Sequence, residues 1–216
     1  MTISPMNDRT SRPRITKTTL VIVGLMALLV VVRAVLPNEL DRSLVYYLGR
    51  ALFPYGTLQP ERAYTLITSI FLHVNWIHAL FNSMWILFLG SLAQPHLGSL
   101  RFVLFFLLCG VGGGMFAAGL NWGEPVFGIG ASGAAFGLLG GGAFFLVDTS
   151  KESTFGKVRK LVIYAAVMML VLNFAYAFSG FASMIGVPGR VSWEAHLGGF
   201  LTGMVLFPLL QRRVRA

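Results

Sequence analysis

From residue 63 to residue 100 the chain carries no charged side chain, and five other stretches of about 18 to 20 residues are nearly as apolar. A helix of about 20 residues spans the hydrocarbon core of a bilayer, so segments of this length between charges are read as membrane spans. Six are expected, at roughly 18 to 36, 73 to 92, 101 to 120, 130 to 147, 160 to 178 and 194 to 211. The charge-free stretch is longer than one span requires, and residues 63 to 72 are expected to approach or enter the interface first. Composition agrees: 56% of the chain is hydrophobic and 12% charged, with a mean hydropathy of +0.73, far from the average soluble domain.

The excess of seventeen Lys and Arg over eight Asp and Glu would point to nucleic acid in a soluble protein, but here the cations sit in the polar connectors. They act as topology signals. Arg9, Arg12, Arg14 and Lys17, then Arg101, then Lys151, Lys157, Arg159 and Lys160, then Arg212, Arg213 and Arg215 fall on one side of a six-span arrangement. Arg33, Arg42, Arg50, Arg62 and Arg190 fall on the other. The positive-inside bias puts both termini in the cytoplasm of a multi-pass protein. The division is then a basic segment at 1–17, a membrane domain at 18–211 and a basic tail at 212–216. The first apolar run is too long for a signal-peptide core and is expected to stay as a helix. The connector from 37 to 62 is external, and Tyr46, Tyr47, Phe53 and Tyr55 suit it to the interface.

Polar side chains inside a span are costly, so their positions are informative. The second span carries His78 and Asn82, spaced i,i+4 on one helical face. The fourth opens with Gly130-Ala131-Ser132-Gly133, and the sixth carries His196 with Gly199 and Gly203 at i+3 and i+7. Small residues let helix backbones approach closely in lipid, and Gly133, Gly137 and Gly141 recur at four-residue spacing. These faces are expected to pack together, bringing Ser132 and His196 to the same depth near the external side. A serine hydroxyl needs a neighbouring base to become a nucleophile, and imidazole is the usual one. The Asn82 amide, the His78 imidazole and the Ser132 backbone N–H are candidate donors to an oxyanion. Glu194, two residues before His196, would point away on a helix, so a dyad is expected rather than a triad.

In order and spacing, Gly130-Ala131-Ser132-Gly133, His196 with Gly199 and Gly203, and His78-x-x-x-Asn82 resemble the three signatures of the rhomboid intramembrane proteases, and "TSIFLHVNWIHALFN" resembles the family's approach to its second span through Thr68 and His73. The resemblance implies an all-α, six-transmembrane-helix rhomboid-like bundle. It implies Ser132 as nucleophile, His196 as general base, and His78 with Asn82 lining the oxyanion hole, with no cofactor or metal. The partners implied are single-pass or other transmembrane protein substrates, cut near their outer ends within the lipid bilayer, and not nucleic acid. Two positions depart from the family: Tyr64-Thr65 stands where many members have Trp-Arg, and Phe136 where many have Tyr four residues after the nucleophile.

Each motif alone has a bland reading. G-x-S-G in a glycine-rich helix is often packing, His196 could be a satisfied core histidine, and His78 with Asn82 an ordinary interhelical hydrogen bond. His73 reads as structural, Gly112, Gly113 and Gly114 as helix packing or a break, Cys109 as a small hydrophobe, and the Phe-rich runs of the third and fourth spans as lipid-facing. No H-E-x-x-H is present, and Asp8, Asp41 and Asp148 lie outside span interiors, which excludes zinc and aspartyl membrane proteases. Two rivals remain, a non-proteolytic rhomboid-like binder of membrane segments and a small transporter. The fifth span, with "MMLVLNFAYAF" and no small-residue repeat, is expected to pack less closely than its neighbours.

Overall fold

The computed structural model describes residues 14–49, 59–124, 127–144, 153, 156–157, 160, 163–164, 167, 170–171 and 192–211. Almost all of them are helical. Helix α1 spans Lys17–Val35, α2 Asn38–Leu48, α3 Thr65–Phe71, α4 Trp76–Leu97, α5 Ser99–Leu120, α6 Ser132–Gly142 and α7 Trp193–Leu210, with a 3-10 turn at Pro60–Arg62 before α3. Three of these, α1, α4 and α5, are long and apolar enough to cross a membrane. They match the expected first, second and third spans within five residues at either end. Of the expected fourth span, the part through Gly142 is α6, and α7 is the sixth. The described positions of the fifth between 160 and 171 are helical, but most of "MMLVLNFAYAF" lies outside the described residues, as do Phe53, Tyr55 and both tails.

The helix starts follow from side-chain caps, since the first N–H groups of a helix have no internal acceptor. Thr16 Oγ1 accepts from the Thr19 N–H at 3.2 Å, Asn75 Oδ1 from His78 N–H at 2.8 Å, and Ser192 Oγ from Ala195 N–H at 3.3 Å. Only Gly98 separates α4 from α5, and its φ of 74° is a value that a residue with a Cβ adopts at a cost.

Residues 63 to 72 are more regular than the sequence indicated. They form α3, with Thr65, Leu66, Ser69 and Ile70 buried against the bundle. Helix α2 runs outside it, and its last carbonyls are taken by side chains from the α3 region. Arg62 Nη2 donates to Tyr46 O at 2.6 Å, the Tyr64 hydroxyl to Tyr47 O at 2.9 Å, and Thr68 Oγ1 to Leu48 O at 2.7 Å. The guanidinium of Arg62 also sits 4.9 Å over the Tyr46 ring. Thr65 is buried and donates to the local Arg62 carbonyl, so it is Arg62, Tyr64 and Thr68 that anchor α2.

One apolar core runs from α1 and α4 through α5, α6 and α7, and it is tightest where the last three meet, which glycine makes possible. A Cβ at Gly199 would lie 2.0 Å from the Gly133 carbonyl oxygen, and one at Gly203 would lie 2.0 Å from that of Gly137. The expected glycine faces therefore pack backbone to backbone, but the third α6 member of the seam is Gly140, against Phe200 O, while Gly141 meets Phe207 and Phe105. A turn of 3.6 residues carries position i+8 off the face that i+7 holds. Gly113 lies against Ala195 O and Gly112 against Thr202, so the α5 glycines pack on α7 within an unbroken helix.

The expectation that the Phe-rich runs of the third and fourth spans face lipid is corrected for most of their described rings: Phe102, Phe105 and Phe106 are fully buried and Phe136 nearly so, whereas Phe144 is exposed. Phe200 and Phe207 of α7 are fully buried as well. Where backbones touch along a glycine seam, the space flanking the seam needs large side chains to reach interior packing density, and the rings fill it.

Candidate active site

The turn before α6 is built so that Ser132 starts a helix. Gly130 has φ 127°, which favours glycine, and its N–H donates to Ser69 O at 2.9 Å. Ala131 is fully buried, and Ser132 is half-buried as the first residue of α6. Ser132 and Phe136, four residues apart, share one face of the helix. The Phe136 ring stacks on the His196 imidazole, with centroids 4.1 Å apart and planes 6° from parallel. The stack and the Gly133–Gly199 contact together put His196 on the face of α6 that carries Ser132. His196 is buried in the first turns of α7, held by the Ser192 cap and the Gly199 and Gly203 seam. Phe136 therefore keeps the ring-on-ring contact without a hydroxyl.

Ser132 lines a narrow cleft with Asn82, Trp85, Leu89, Ala135, Phe136 and Leu139, with a volume of about 20 Å³. That is room for about one water. Asn82 faces it from α4, while one of its amide hydrogens goes to His78 O at 3.1 Å. The amide retains a second donor. One turn earlier, the His78 ring lies between His73, edge to face at 5.0 Å and 73°, and Gly130, where a Cβ would meet His78 Cε1 at 2.9 Å. All four residues singled out by spacing thus converge around the N-terminus of α6. A hydroxyl and an amide share the cleft, while the His196 imidazole stacks behind Phe136 and the His78 imidazole lies at Gly130, and these are the kinds of group acyl transfer uses.

Glu194 is buried beside this site, and Ser192 Oγ donates to its Oε2 at 3.3 Å, so the carboxylate closes the α7 cap. Cys109 is buried against Gly137, as a small hydrophobe would be. Sequence reasoning missed two contributors, Trp85 and Arg33, and read a third, His73, as structural. Trp85 walls the cleft, one turn beyond Asn82 on α4. His73 approaches Ala131 N–H, and Arg33 ties the end of α1 to Asp41 through two hydrogen bonds, at 2.6 and 3.1 Å, and to the His73 carbonyl. The one available signal was an Arg in the last turn of an apolar helix with an Asp eight residues on.

A sequence model of the Rhomboid domain matches residues 60–213. Among similar proteins, RHOMBOID-like protein 4 of Arabidopsis thaliana is 31% identical over 153 residues, which cover 70% of this chain and 35% of that protein. RHOMBOID-like protein 2 of the same plant is 32% identical over 155 residues, covering 70% and 44%. An uncharacterized protein of Mycobacterium tuberculosis is 33% identical over 224 residues, covering 99% of this chain and 85% of that one. The chain spans only about a third of the length of the plant proteins RHOMBOID-like 4 and 1.

Proposed function

This integral membrane chain belongs to the rhomboid family, and on that premise we propose that it is an intramembrane serine endopeptidase working through a Ser132–His196 dyad. What carries the reading is the Phe136–His196 stack, which sets the imidazole on the Ser132 face of α6 while Asn82 shares the Ser132 cleft. The proposed form is the six-span bundle with both termini in the cytoplasm of a bacterial inner membrane, supported by the Lys and Arg bias of the connectors. The substrates are transmembrane segments of other proteins.

In the proposed reaction a substrate helix unwinds near the external interface and presents its scissile carbonyl to Ser132. The hydroxyl oxygen adds to the carbonyl carbon as His196 takes its proton, and the carbonyl π pair moves onto oxygen. Asn82, His78 and the Ser132 backbone N–H stabilise that oxyanion. Collapse breaks the C–N bond, and His196 returns the proton to the departing amine. Water then enters from outside, loses a proton to His196 and hydrolyses the acyl ester, regenerating Ser132.

Reconstitution in liposomes with a single-pass model substrate tests this. Ser132→Ala is expected to abolish cleavage while leaving helix content and substrate binding intact. Cleavage at the wild-type rate would sink the nucleophile assignment, and a wild-type protein that binds such segments without cutting them would favour the binding-only rhomboid-like reading.

A further inference from the structure

His73 is a buried polar residue in contact with the nucleophile turn for which the reaction above has no use. It is 1% exposed and lies in the extended stretch between α3 and α4. Its ring makes contacts that fix its protonation by elimination. Nδ1 is 3.2 Å from the Phe71 carbonyl oxygen, which can only accept, so Nδ1 carries a proton. Nε2 is 3.4 Å from the Ala131 backbone nitrogen, which can only donate, so Nε2 presents its lone pair. The ring is therefore neutral and held in one tautomer.

Its placement is equally determined. The His73 carbonyl accepts from Arg33 Nη1, and the other donors of that guanidinium grip both oxygens of Asp41. The end of α1 and the start of α2 thus clamp the backbone at His73. From there its ring reaches in two directions, to the peptide preceding Ser132 and to the edge-to-face contact that presses His78 toward Gly130.

We infer that His73 is a positioning residue, accepting the Ala131 N–H to set the direction of the peptide that leads into Ser132 and holding the His78 ring beside it. Its kinetic consequence rests on the peptidase reading; its geometry does not. The Gly130–Ala131–Ser132 turn has a positive φ at Gly130 that glycine adopts freely, and two N–H groups that point away from α6. Ser69 O fixes the first of these and His73 Nε2 the second. Without the second acceptor the turn can rotate about Ala131 and carry Ser132 off its line to His196, and a shift of about 1 Å in such geometry can cost roughly 100-fold in rate.

Two variants separate the two ring functions. His73→Phe keeps a ring edge beside His78 and has no acceptor, whereas His73→Gln places an amide oxygen near the Nε2 position and has no ring. On the full chain in liposomes with the model substrate, His73→Phe is expected to lower kcat by about 10- to 100-fold with KM unchanged, and to slow fluorophosphonate labelling of Ser132 in proportion. His73→Gln is expected to recover most of kcat. A purely structural role would lower the thermal midpoint and the folded fraction but leave kcat per folded molecule intact, and that outcome overturns the inference. Histidine-selective ¹⁵N NMR of the wild-type protein provides a readout that needs no activity. A protonated Nδ1 with an unprotonated Nε2 at His73 supports the assignment, and a protonated Nε2 overturns it. If the wild-type protein neither cleaves nor labels, the peptidase reading falls and the tautomer alone decides His73.

Discussion

The α5–α6–α7 half of the bundle and the α1–α4 half are held together by different physics. In the first, backbones touch: the carbonyls of Gly133 and Gly137 press against Gly199 and Gly203, and no side chain stands between them. In the second, the elements are tied by polar side chains at either end. Near the start of α1, Thr16 and Thr19 meet Gln94 Oε1, and Gln94 Nε2 donates to Ser99 Oγ at 3.1 Å. Near its end, Arg33 grips Asp41 and the His73 carbonyl. The difference matters for the site because Ser132 and His196 belong to the backbone-packed half, whereas His78 and Asn82 belong to the side-chain-tied half. The proposed dyad is set by a contact that tolerates no added atom, and the proposed oxyanion donors by contacts that can be exchanged.

The largest expected effect follows from adding one atom to the seam. Gly199→Ala puts a methyl 2.0 Å from the Gly133 carbonyl oxygen, where only backbone could yield. It should cost about 3 kcal/mol, the upper end of ordinary overpacking, and abolish cleavage. A thermal midpoint in detergent and a cleavage assay check both, and a tolerated methyl would break the contrast between the halves. Asn82→Ala comes next, with kcat falling by about 10²-fold and little change in stability if Asn82 is a major oxyanion donor. An unchanged rate removes it from that role. Phe136→Leu deletes the stack on His196, and an aromatic pair of about 0.5–1.5 kcal/mol corresponds to a fall of roughly 2- to 10-fold in kcat. Smallest is Gln94→Leu, at the far end of α4 from Asn82. It should cost about 1 kcal/mol in thermal stability and leave kcat alone, since hydrogen bonds between helices in lipid average well under 2 kcal/mol. A kcat loss there would show that the two ends of α4 are coupled.

Much of this division was legible in the sequence, because glycine spacing is a direct record of backbone approach. Gly199 and Gly203 read as a seam from their spacing and from the matching repeat in the fourth span, and the structure puts them on Gly133 and Gly137. Three spans could be read from length and hydropathy for the same reason, that a charge-free stretch has one economical place to go. The side-chain-tied half was harder to read. His73 and Arg33 act on backbone groups of Ala131 and of His73 itself, and no side-chain pattern marks a backbone acceptor. Phe102, Phe105 and Phe106 were assigned to lipid because hydropathy cannot separate lipid from protein interior, and their burial depends on the gaps beside the glycine seam. Gly141 was misplaced by a single step of helical phase, which spacing in fours does not resolve.

The central claim is that Ser132 and His196 act as one unit, and site-mapped labelling tests it most directly. The wild-type protein in liposomes is treated with a fluorophosphonate and the adduct located by mass spectrometry, alongside Ser132→Ala and His196→Phe, the latter keeping a ring under Phe136. The account predicts a single adduct on Ser132, absent from Ser132→Ala and reduced by at least about 100-fold in rate in His196→Phe. An adduct elsewhere, or labelling of Ser132 that proceeds undiminished without the imidazole, would contradict it.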